Sequence, residues 1–373
     1  MSDMEAKFVD VSGQKTTPPD LWPAIVIPRA AIDREIERLA DADRPANGVR
    51  GSKVVHPLAT EPGLGLAPGI DVTIHVLRPG EVTEPVRHNS VQISMCIRGT
   101  GVAEIGKREF GFERWDVWNT PAMNTYRYRN TGKDLMVKLT YSNAPMLEKL
   151  MVHYVEEDPP VYKPSTELLQ EKAEIRRARD LAPNIALQEP GARLMGYEYL
   201  VDPDVVESNP LIWRWKEVEP YLGRVESLGK DVEGREKYSG RSLFLLYNPA
   251  TERRNGTNHC FFATIAQMPG GRVDIPHRHT SAAINYYFRG RGRSTVAGER
   301  YEWDEGDLML SAPGWAVHNH AAVDTVNALT IQDHPLHLAT ESLVWQETLK
   351  SPILKLGSEL GAQTNLHDLA PAE

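Results

Sequence analysis

The chain has 373 residues, which suits two domains better than one. Hydrophobic residues make up 41% and charged residues 25%, an ordinary globular composition that disfavours disorder, collagen and coiled coil. The formal net charge of −9 argues against nucleic acid or an anionic membrane as partners, and no apolar run approaches the length of a membrane span. The sequence therefore predicts a globular protein that binds neither nucleic acid nor membrane.

The number of cysteines and the N-terminal sequence indicate the cellular compartment of the protein. Only Cys96 and Cys260 occur, far apart in sequence, so no disulfide framework is expected. The start, MSDMEAKFVD, lacks the basic and apolar regions of a secretory signal. We therefore expect a cytoplasmic protein.

Hydrophobic periodicity divides the chain into alternating helical and strand-rich stretches. Helical spacing of apolar residues predicts helices over 30–41, 144–157 and 164–181, the last beginning at Pro164 and Ser165. Short apolar runs of period two, separated by turn residues, predict strands from about 70 and again from 243. The predicted organisation is an N-terminal arm with a short helix (1–60), a strand-rich domain (61–145), a helical linker (146–240), a second strand-rich domain (241–340) and a helical tail (341–373).

The two strand-rich stretches resemble each other. The segment VLRPGEVTEPVRHNSVQISMCIRGTG can be aligned with AQMPGGRVDIPHRHTSAAINYYFRGRG, with Pro-Gly and Arg-Gly-x-Gly in register. Further on, REFGFERWDVWNTPAMNTYRYRN matches RYEWDEGDLMLSAPGWAVHNHAA after a small adjustment. This internal repeat predicts one small β-fold used twice.

Histidines are unevenly distributed, with six of the twelve between residues 277 and 337. His277 and His279 lie at i and i+2, so on a strand they share a face, and His318 on a neighbouring strand could complete a set of three nitrogens. Such a set suits Fe(II), Mn(II), Ni(II), Cu(II) or Zn(II). A lone His-x-His is often a surface accident, but the Gly and Pro spacing around it favours a metal site.

The pattern Gly271-x5-His277-x-His279, followed by Pro313 and His318, resembles the first and second motifs of the cupin superfamily. The resemblance covers roughly half of the chain. It implies a mainly β bicupin, that is, two antiparallel β-barrels (double-stranded β-helices) with a helical linker and flanking helices. Ala283 stands where the family usually has a glutamate ligand, so three histidines would leave three positions of an octahedral ion open.

The first copy of the repeat keeps only one of the three histidines. Val86 replaces His277, His88 matches His279, and Tyr126 falls at or beside the place of His318. A single histidine is a poor metal site. We therefore expect His88 to be a packing or hydrogen-bonding residue and the first barrel to be structural.

A closer resemblance is to the bicupin gentisate, salicylate and 1-hydroxy-2-naphthoate 1,2-dioxygenases. It is carried by Gln267-Met-Pro-Gly, Pro276-His-Arg-His-Thr280, Ala283-Ile-Asn285, Trp315-Ala-Val-His-Asn-His320 and Gln332-Asp-His-Pro-Leu336. The resemblance implies Fe(2+) held by three histidines, a small aromatic substrate that chelates it through a hydroxyl and a carboxylate, and ring opening with O2 in aromatic catabolism. It also implies a homodimer or homotetramer.

Several residues near the predicted metal are candidates for the substrate pocket. His320 shares a strand face with His318 and could move a proton, or be a satisfied polar residue at the barrel mouth. Asn285 stands where the family usually has an arginine that pairs with the substrate carboxylate, and an amide cannot neutralise that charge. The remaining predicted substrate contacts are Gln267, Tyr287, Arg289 and Trp315.

Alternatives remain open at this point. The substrate could be a quinol or another aromatic without a carboxylate. The protein could be a metal-dependent isomerase, lyase or decarboxylase that uses no O2, or a bicupin that only binds a small molecule.

Overall fold

The computed structural model describes residues 6–160, 165–201, 208–222 and 242–357. Antiparallel strands dominate it, which confirms the predicted mainly β fold. Of the helices within the described ranges, none is both long enough and apolar enough to cross a membrane.

The N-terminal arm contains one short strand and one helix, β1 (Ile25–Ile27) and α1 (Arg29–Asp41). The helix confirms the prediction for residues 30–41, because its apolar stripe of Ile32, Ile36 and Leu39 is buried.

The first barrel follows, and its strands form a six-stranded and a five-stranded antiparallel sheet with help from later segments. Its own strands, β2 to β10, are Arg50–Val54, Asp71–Leu77, Val86–His88, Gln92–Arg98, Thr100–Ile105, Arg108–Glu113, Val117–Thr120, Tyr126–Arg129 and Met136–Ser142.

The connection between the barrels is only partly helical. Its elements are α2 (Ala144–Lys149), β11 (Val155–Glu157), α3 (Thr166–Leu181), β12 (Asn184–Ala186), β13 (Arg193–Met195), α4 (Glu198–Val201), β14 (Ile212–Trp213), α5 (Trp215–Val218) and a 3₁₀ turn (Glu219–Tyr221). The side chain of Ser165 accepts a hydrogen bond from the Leu168 N–H and caps α3, as predicted, whereas Pro164 and residues 223–241 of the predicted linker lie outside the described residues.

The helix predicted over 144–157 is wrong beyond Lys149. Met151 adopts a positive φ of 57°, which ends the helix, and β11 then pairs with β4 of the first barrel. The open edge of that sheet satisfies the backbone of this segment, so tertiary pairing overrides the local helical pattern.

The second barrel is built from β15 onward. Its strands, β15 to β23, are Ser242–Leu245, Phe262–Met268, Arg278–His279, Ala283–Arg289, Gly292–Val296, Glu299–Trp303, Leu308–Ala312, His318–Ala322 and Val326–Gln332, with a 3₁₀ segment at Pro249–Arg254. The arm strand β1 pairs with β21, so the N-terminal arm extends the main sheet of this barrel.

The predicted helical tail is also wrong where the structure describes it. After the short helix α6 (His334–Ala339), the chain forms β24 (Val344–Gln346) and β25 (Leu354–Lys355), and β24 pairs with β17. The exposed edge of β17 offers backbone partners, and Pro352 would interrupt a continuous helix. The part of the tail after residue 357 lies outside the described residues.

The largest hydrophobic core joins the two barrels. It includes Leu139 of β10, Ile284 of β18 and Leu329 of β23, all of which are fully buried. The six-stranded sheet of each barrel therefore buries one of its faces in this shared core and the other face inside its own barrel. This explains why β10 is buried at every position rather than alternating between buried and exposed residues.

Candidate metal centre

Three histidines converge at one edge of the second barrel. His277 and His318 form an antiparallel bridge through two backbone hydrogen bonds of 3.1 and 2.9 Å, and His279 is the last residue of β17. One ring nitrogen from each histidine lies within 4.8 Å of the other two. The predicted histidine triad is thus assembled in space, and a strand pairing holds it.

A backbone carbonyl binds Nδ1 of each of the three histidine rings. The Nδ1–H of His277 donates to the Ile275 carbonyl at 2.9 Å, that of His279 to the Ser281 carbonyl at 2.8 Å, and that of His318 to the Ala316 carbonyl at 2.9 Å. In the tautomer with the proton on Nδ1, the lone pair of each ring lies on Nε2, where a metal needs it.

The chemistry of these nitrogens fits a metal ion. Nε2 of His279 is buried without a hydrogen-bond partner among the described residues, a state that costs free energy unless a ligand satisfies it. Burial lowers the pKa of His279 to about 3 and holds the pKa of His318 well below its ordinary value, so both rings are neutral donors at physiological pH. Imidazole nitrogens of this kind suit Fe(II) and its first-row neighbours.

A pocket of about 140 Å³ opens beside the triad. Judged by the volume that one water molecule needs, the pocket can hold roughly ten water-sized groups. One substituted aromatic ring is of this size. Of the described residues that line it, none is a carboxylate, and Ala283 occupies the position of the missing fourth ligand. Its polar lining beyond the triad comes from Thr264, Asn285, Tyr287, Ser311, His320, Thr330 and Gln332.

Three of the predicted site residues line this pocket together with His277 and His318. Asn285 and Tyr287 project into it from β18, and His320 projects from β22. The Asn285 amide nitrogen donates to the Tyr287 hydroxyl at 2.9 Å, and its oxygen is buried without a partner among the described residues. That oxygen is an acceptor available to a substrate donor.

A hydroxyl beneath His320 links it to an aromatic wall of the pocket. Ser294 Oγ lies 2.7 Å from Nδ1 of His320 and accepts a hydrogen bond of 2.9 Å from the Trp303 indole N–H. Because the Ser294 oxygen already accepts from Trp303, its own proton can be donated to His320 Nδ1. This contact holds the orientation of the His320 imidazole.

The other predicted substrate contacts lie outside the pocket. Gln267 precedes the Met-Pro-Gly turn, but the residues of β16 that line the cavity are Phe262, Thr264, Ala266 and Met268. Gln267 has the opposite strand parity to Ala266 and Met268, so its side chain is on the other face.

Arg289 is also turned away from the pocket. The pairing of β18 with β23 shifts register between Tyr287 and Arg289, so the alternation that holds up to Tyr287 does not extend to Arg289. Arg289 instead forms a 2.8 Å ion pair with Glu219 and lies over the rings of Trp115 and Trp215. It therefore belongs to the junction between the barrels.

Trp315 lies in the loop before β22 rather than among the residues that line the pocket. The Arg278 guanidinium sits 4.5 Å from the centre of its ring. Trp315 consequently supports the strand that carries the histidines from outside.

Sequence reasoning missed Trp345, which lines the pocket from β24. Its ring stacks on that of His279 with 5.0 Å between centroids and 17° between planes. Residue 345 pairs directly with His279 across the β17–β24 ladder, and no local pattern indicates that the tail returns to this edge. Gln332 also lines the pocket, and its position there was not predicted.

The first barrel repeats the backbone of the site without its ligands. Val86 pairs with Tyr126 as His277 pairs with His318. His88 Nε2 lies 2.9 Å from the Tyr126 hydroxyl, and its Nδ1–H donates to the Ser90 carbonyl at 3.0 Å. The predicted hydrogen-bonding role of His88 is confirmed.

Comparison with known proteins identifies relatives on both sequence and fold. Residues 260–360 match the family described as AraC-like ligand binding domain, a cupin. The chain is 31% identical to the 5-aminosalicylate 1,2-dioxygenase of Comamonas sp over 131 residues, 34% of each chain. It is 24% identical to the gentisate 1,2-dioxygenase of Streptomyces sp over 280 residues, 74% of this chain and 73% of that enzyme.

A solved structure agrees with these matches. The salicylate 1,2-dioxygenase of Pseudaminobacter salicylatoxidans superposes with a TM-score of 0.69 at 16% identity, over 90% of both chains. The resemblance to the bicupin ring-cleaving dioxygenases is confirmed. At this identity the structural match establishes the shared bicupin fold, and the Comamonas match spans only about a third of that relative's length.

Proposed function

We propose that this bicupin is a ring-cleaving dioxygenase that uses Fe(II) held by His277, His279 and His318 to insert both atoms of O2 into a hydroxylated aromatic compound. The observation that carries the proposal is the convergence of three imidazoles, each with its Nδ1–H bound to a carbonyl, beside a pocket of single-ring size. The relatives named as salicylate-type and gentisate 1,2-dioxygenases support the same chemistry.

The protein residues bind and orient the substrate and handle its proton. Fe(II) at the triad would supply a Lewis acid for the substrate oxygens and the redox chemistry that O2 requires. The stacked pair Tyr287 and Trp303, with 3.6 Å between ring centroids, forms a rigid wall against which an aromatic ring can pack. His320, held by Ser294, would move the proton of the substrate hydroxyl.

The leading substrate class is an aromatic hydroxy acid, such as the compounds for which the relatives are named. In such an acid, a hydroxyl and an adjacent carboxylate could both bind the metal. The test is oxygen uptake by the Fe(II)-loaded chain with salicylate, gentisate, 5-aminosalicylate and 1-hydroxy-2-naphthoate, with ¹⁸O₂ incorporation into the product. We expect uptake in proportion to ring-opened product. Turnover that persists without O2, or no uptake across the panel, would contradict the proposal.

A neutral substrate such as a hydroquinone is a second candidate, and one observation favours it. No arginine or lysine is found among the described residues that line the pocket, so no side chain there neutralises a carboxylate. The unpartnered Asn285 oxygen in turn requires a donor such as a phenol O–H. Comparing kcat/KM for hydroquinone and gentisate distinguishes the two classes directly.

Substitution of Asn285 by leucine is expected to impair turnover by removing this acceptor. A substrate hydroxyl left without a partner in the pocket should cost about 1–3 kcal/mol, or roughly 5- to 150-fold in kcat/KM. The matched control is Ser94→Ala, at the corresponding strand position of the first barrel, where kcat/KM should be unchanged. Equal kcat/KM for Asn285→Leu and the wild-type chain would exclude Asn285 from substrate binding.

A cytoplasmic location and a homodimer or homotetramer also belong to this proposal. Both cysteines are free, with Cys96 buried, which fits a reducing compartment. Light scattering on the purified chain measures the oligomeric state directly.

A further inference from the structure

The first barrel contains a second cavity, of about 50 Å³, away from the histidine triad. It has room for about four water-sized groups. Two cationic side chains line it, Lys138 from β10 and Arg50 from β2, together with the aromatic rings of Tyr126 and Tyr128. Neither cation takes part in the proposed chemistry of the second barrel.

Lys138 is buried, with 3% exposure, and its hydrogen-bonding capacity is mostly unused. Its ammonium donates to Thr140 Oγ1 at 2.5 Å and lies 4.4 Å from the centre of the Tyr128 ring. Within the described ranges no carboxylate forms an ion pair with it. An ammonium carries three donors, so this one has room for an anionic acceptor.

Arg50 is equally buried, with 2% exposure, and is also incompletely satisfied. Its Nε–H donates to the Ala42 carbonyl at 3.0 Å and its Nη1 pairs with Glu81 at 2.5 Å. Its Nη2 is buried without a hydrogen-bond partner among the described residues. The same small cavity is thus lined by a guanidinium with one nitrogen that lacks an acceptor and by an ammonium with donors still available.

Such an arrangement is costly without a ligand, because a buried charged group needs partners. Burial accordingly lowers the pKa of Lys138 to about 7. Apart from the Arg50–Glu81 ion pair, the titratable groups around Lys138 are neutral over the range in which it titrates. Burial holds the pKa of His75 well below its ordinary value and lowers the pKa of His88 to about 4, and it raises the pKa of Tyr126, Tyr128 and Cys96.

We propose that the first barrel is a binding site for a small monocarboxylate, of the size of acetate, held between Lys138 and Arg50. The carboxylate accepts hydrogen bonds from the Lys138 ammonium and from Nη2 of Arg50 and packs its apolar end against the tyrosine rings. The site is independent of the metal and of the dioxygenase proposal.

The test is calorimetric titration of the full, metal-loaded chain with sodium acetate, against sodium chloride at equal ionic strength. We expect saturable acetate binding that Lys138→Met weakens by roughly 100-fold, because methionine preserves length without charge. The control is Lys133→Met, an exposed lysine, which should bind acetate like the wild-type chain. Because acetate can also reach the triad, the same titration on His279→Ala should retain the Lys138-dependent site.

The pH dependence provides a second readout on the unmodified chain. Acetate binding requires charged Lys138, so affinity should fall about tenfold per pH unit once the pH exceeds the Lys138 pKa of about 7, with uptake of a proton. Equal acetate affinity of Lys138→Met and Lys133→Met, loss of all binding in His279→Ala, or no saturable binding up to roughly 100 mM would each overturn the proposal.

Discussion

Replacement of His279 by alanine is expected to abolish metal binding and to lower ring-cleaving activity by roughly 10³-fold or more, because the open coordination site depends on three nitrogens. His279 is the most deeply buried of the triad, with 1% exposure, and its Nε2 has no other partner within the described residues. Metal content by mass spectrometry of the purified chain, together with oxygen uptake after addition of Fe(II), measures both effects.

The matched control is His88→Ala, which removes the corresponding histidine of the first barrel. There Nε2 bonds to the Tyr126 hydroxyl, so we expect metal content and turnover to stay at the wild-type level, with only a small loss of thermal stability. If both variants lost metal equally, the assignment of the metal to the second barrel would be wrong.

Replacement of His320 by glutamine is expected to lower kcat by about 100-fold while leaving metal content unchanged, because glutamine cannot carry the proton. Ser294 fixes the ring through its 2.7 Å contact with Nδ1, so Ser294→Ala should lower kcat less, by about tenfold. Steady-state oxygen uptake and metal analysis of the same preparations separate proton transfer from loss of the metal.

His153→Gln serves as the control for the same chemical change. His153 lies in the first half of the chain, against Ser90 and Glu148, and its replacement should leave kcat unchanged. A His320→Gln variant with wild-type kcat would exclude His320 from proton transfer and assign it a structural role at the barrel mouth.

The strongest predictions from sequence were those that depend on short-range geometry. His277 and His279 share a face because side chains alternate along a strand, and His318 completes the triad from a neighbouring antiparallel strand, as predicted. The helix at 30–41 and the start of the linker helix at Ser165 follow likewise from spacing and capping.

The errors arose where pairing between distant segments decides a side chain's direction. Arg289 was predicted to contact the substrate, but after a shift of register in its strand it pairs with Glu219 and lies over two tryptophans. The tail was predicted to be helical, yet it returns as β24 to the edge beside His279 and brings Trp345 to the site. Local periodicity contains no information about which free strand edge a distant segment will satisfy.

By itself, the sequence determined the mainly β class, the internal repeat and the three histidines that could hold a metal, because each depends on residues a few positions apart or on a motif copied twice. Only the tertiary structure decided which polar groups line the pocket beside these histidines, and that the first barrel encloses Lys138 and Arg50 around a cavity of its own. Those features depend on strand register and on closure of the sheets, which bring together residues far apart in the chain. The fold therefore also decides which polar groups in these two cavities are buried without a hydrogen-bond partner, at a cost in free energy.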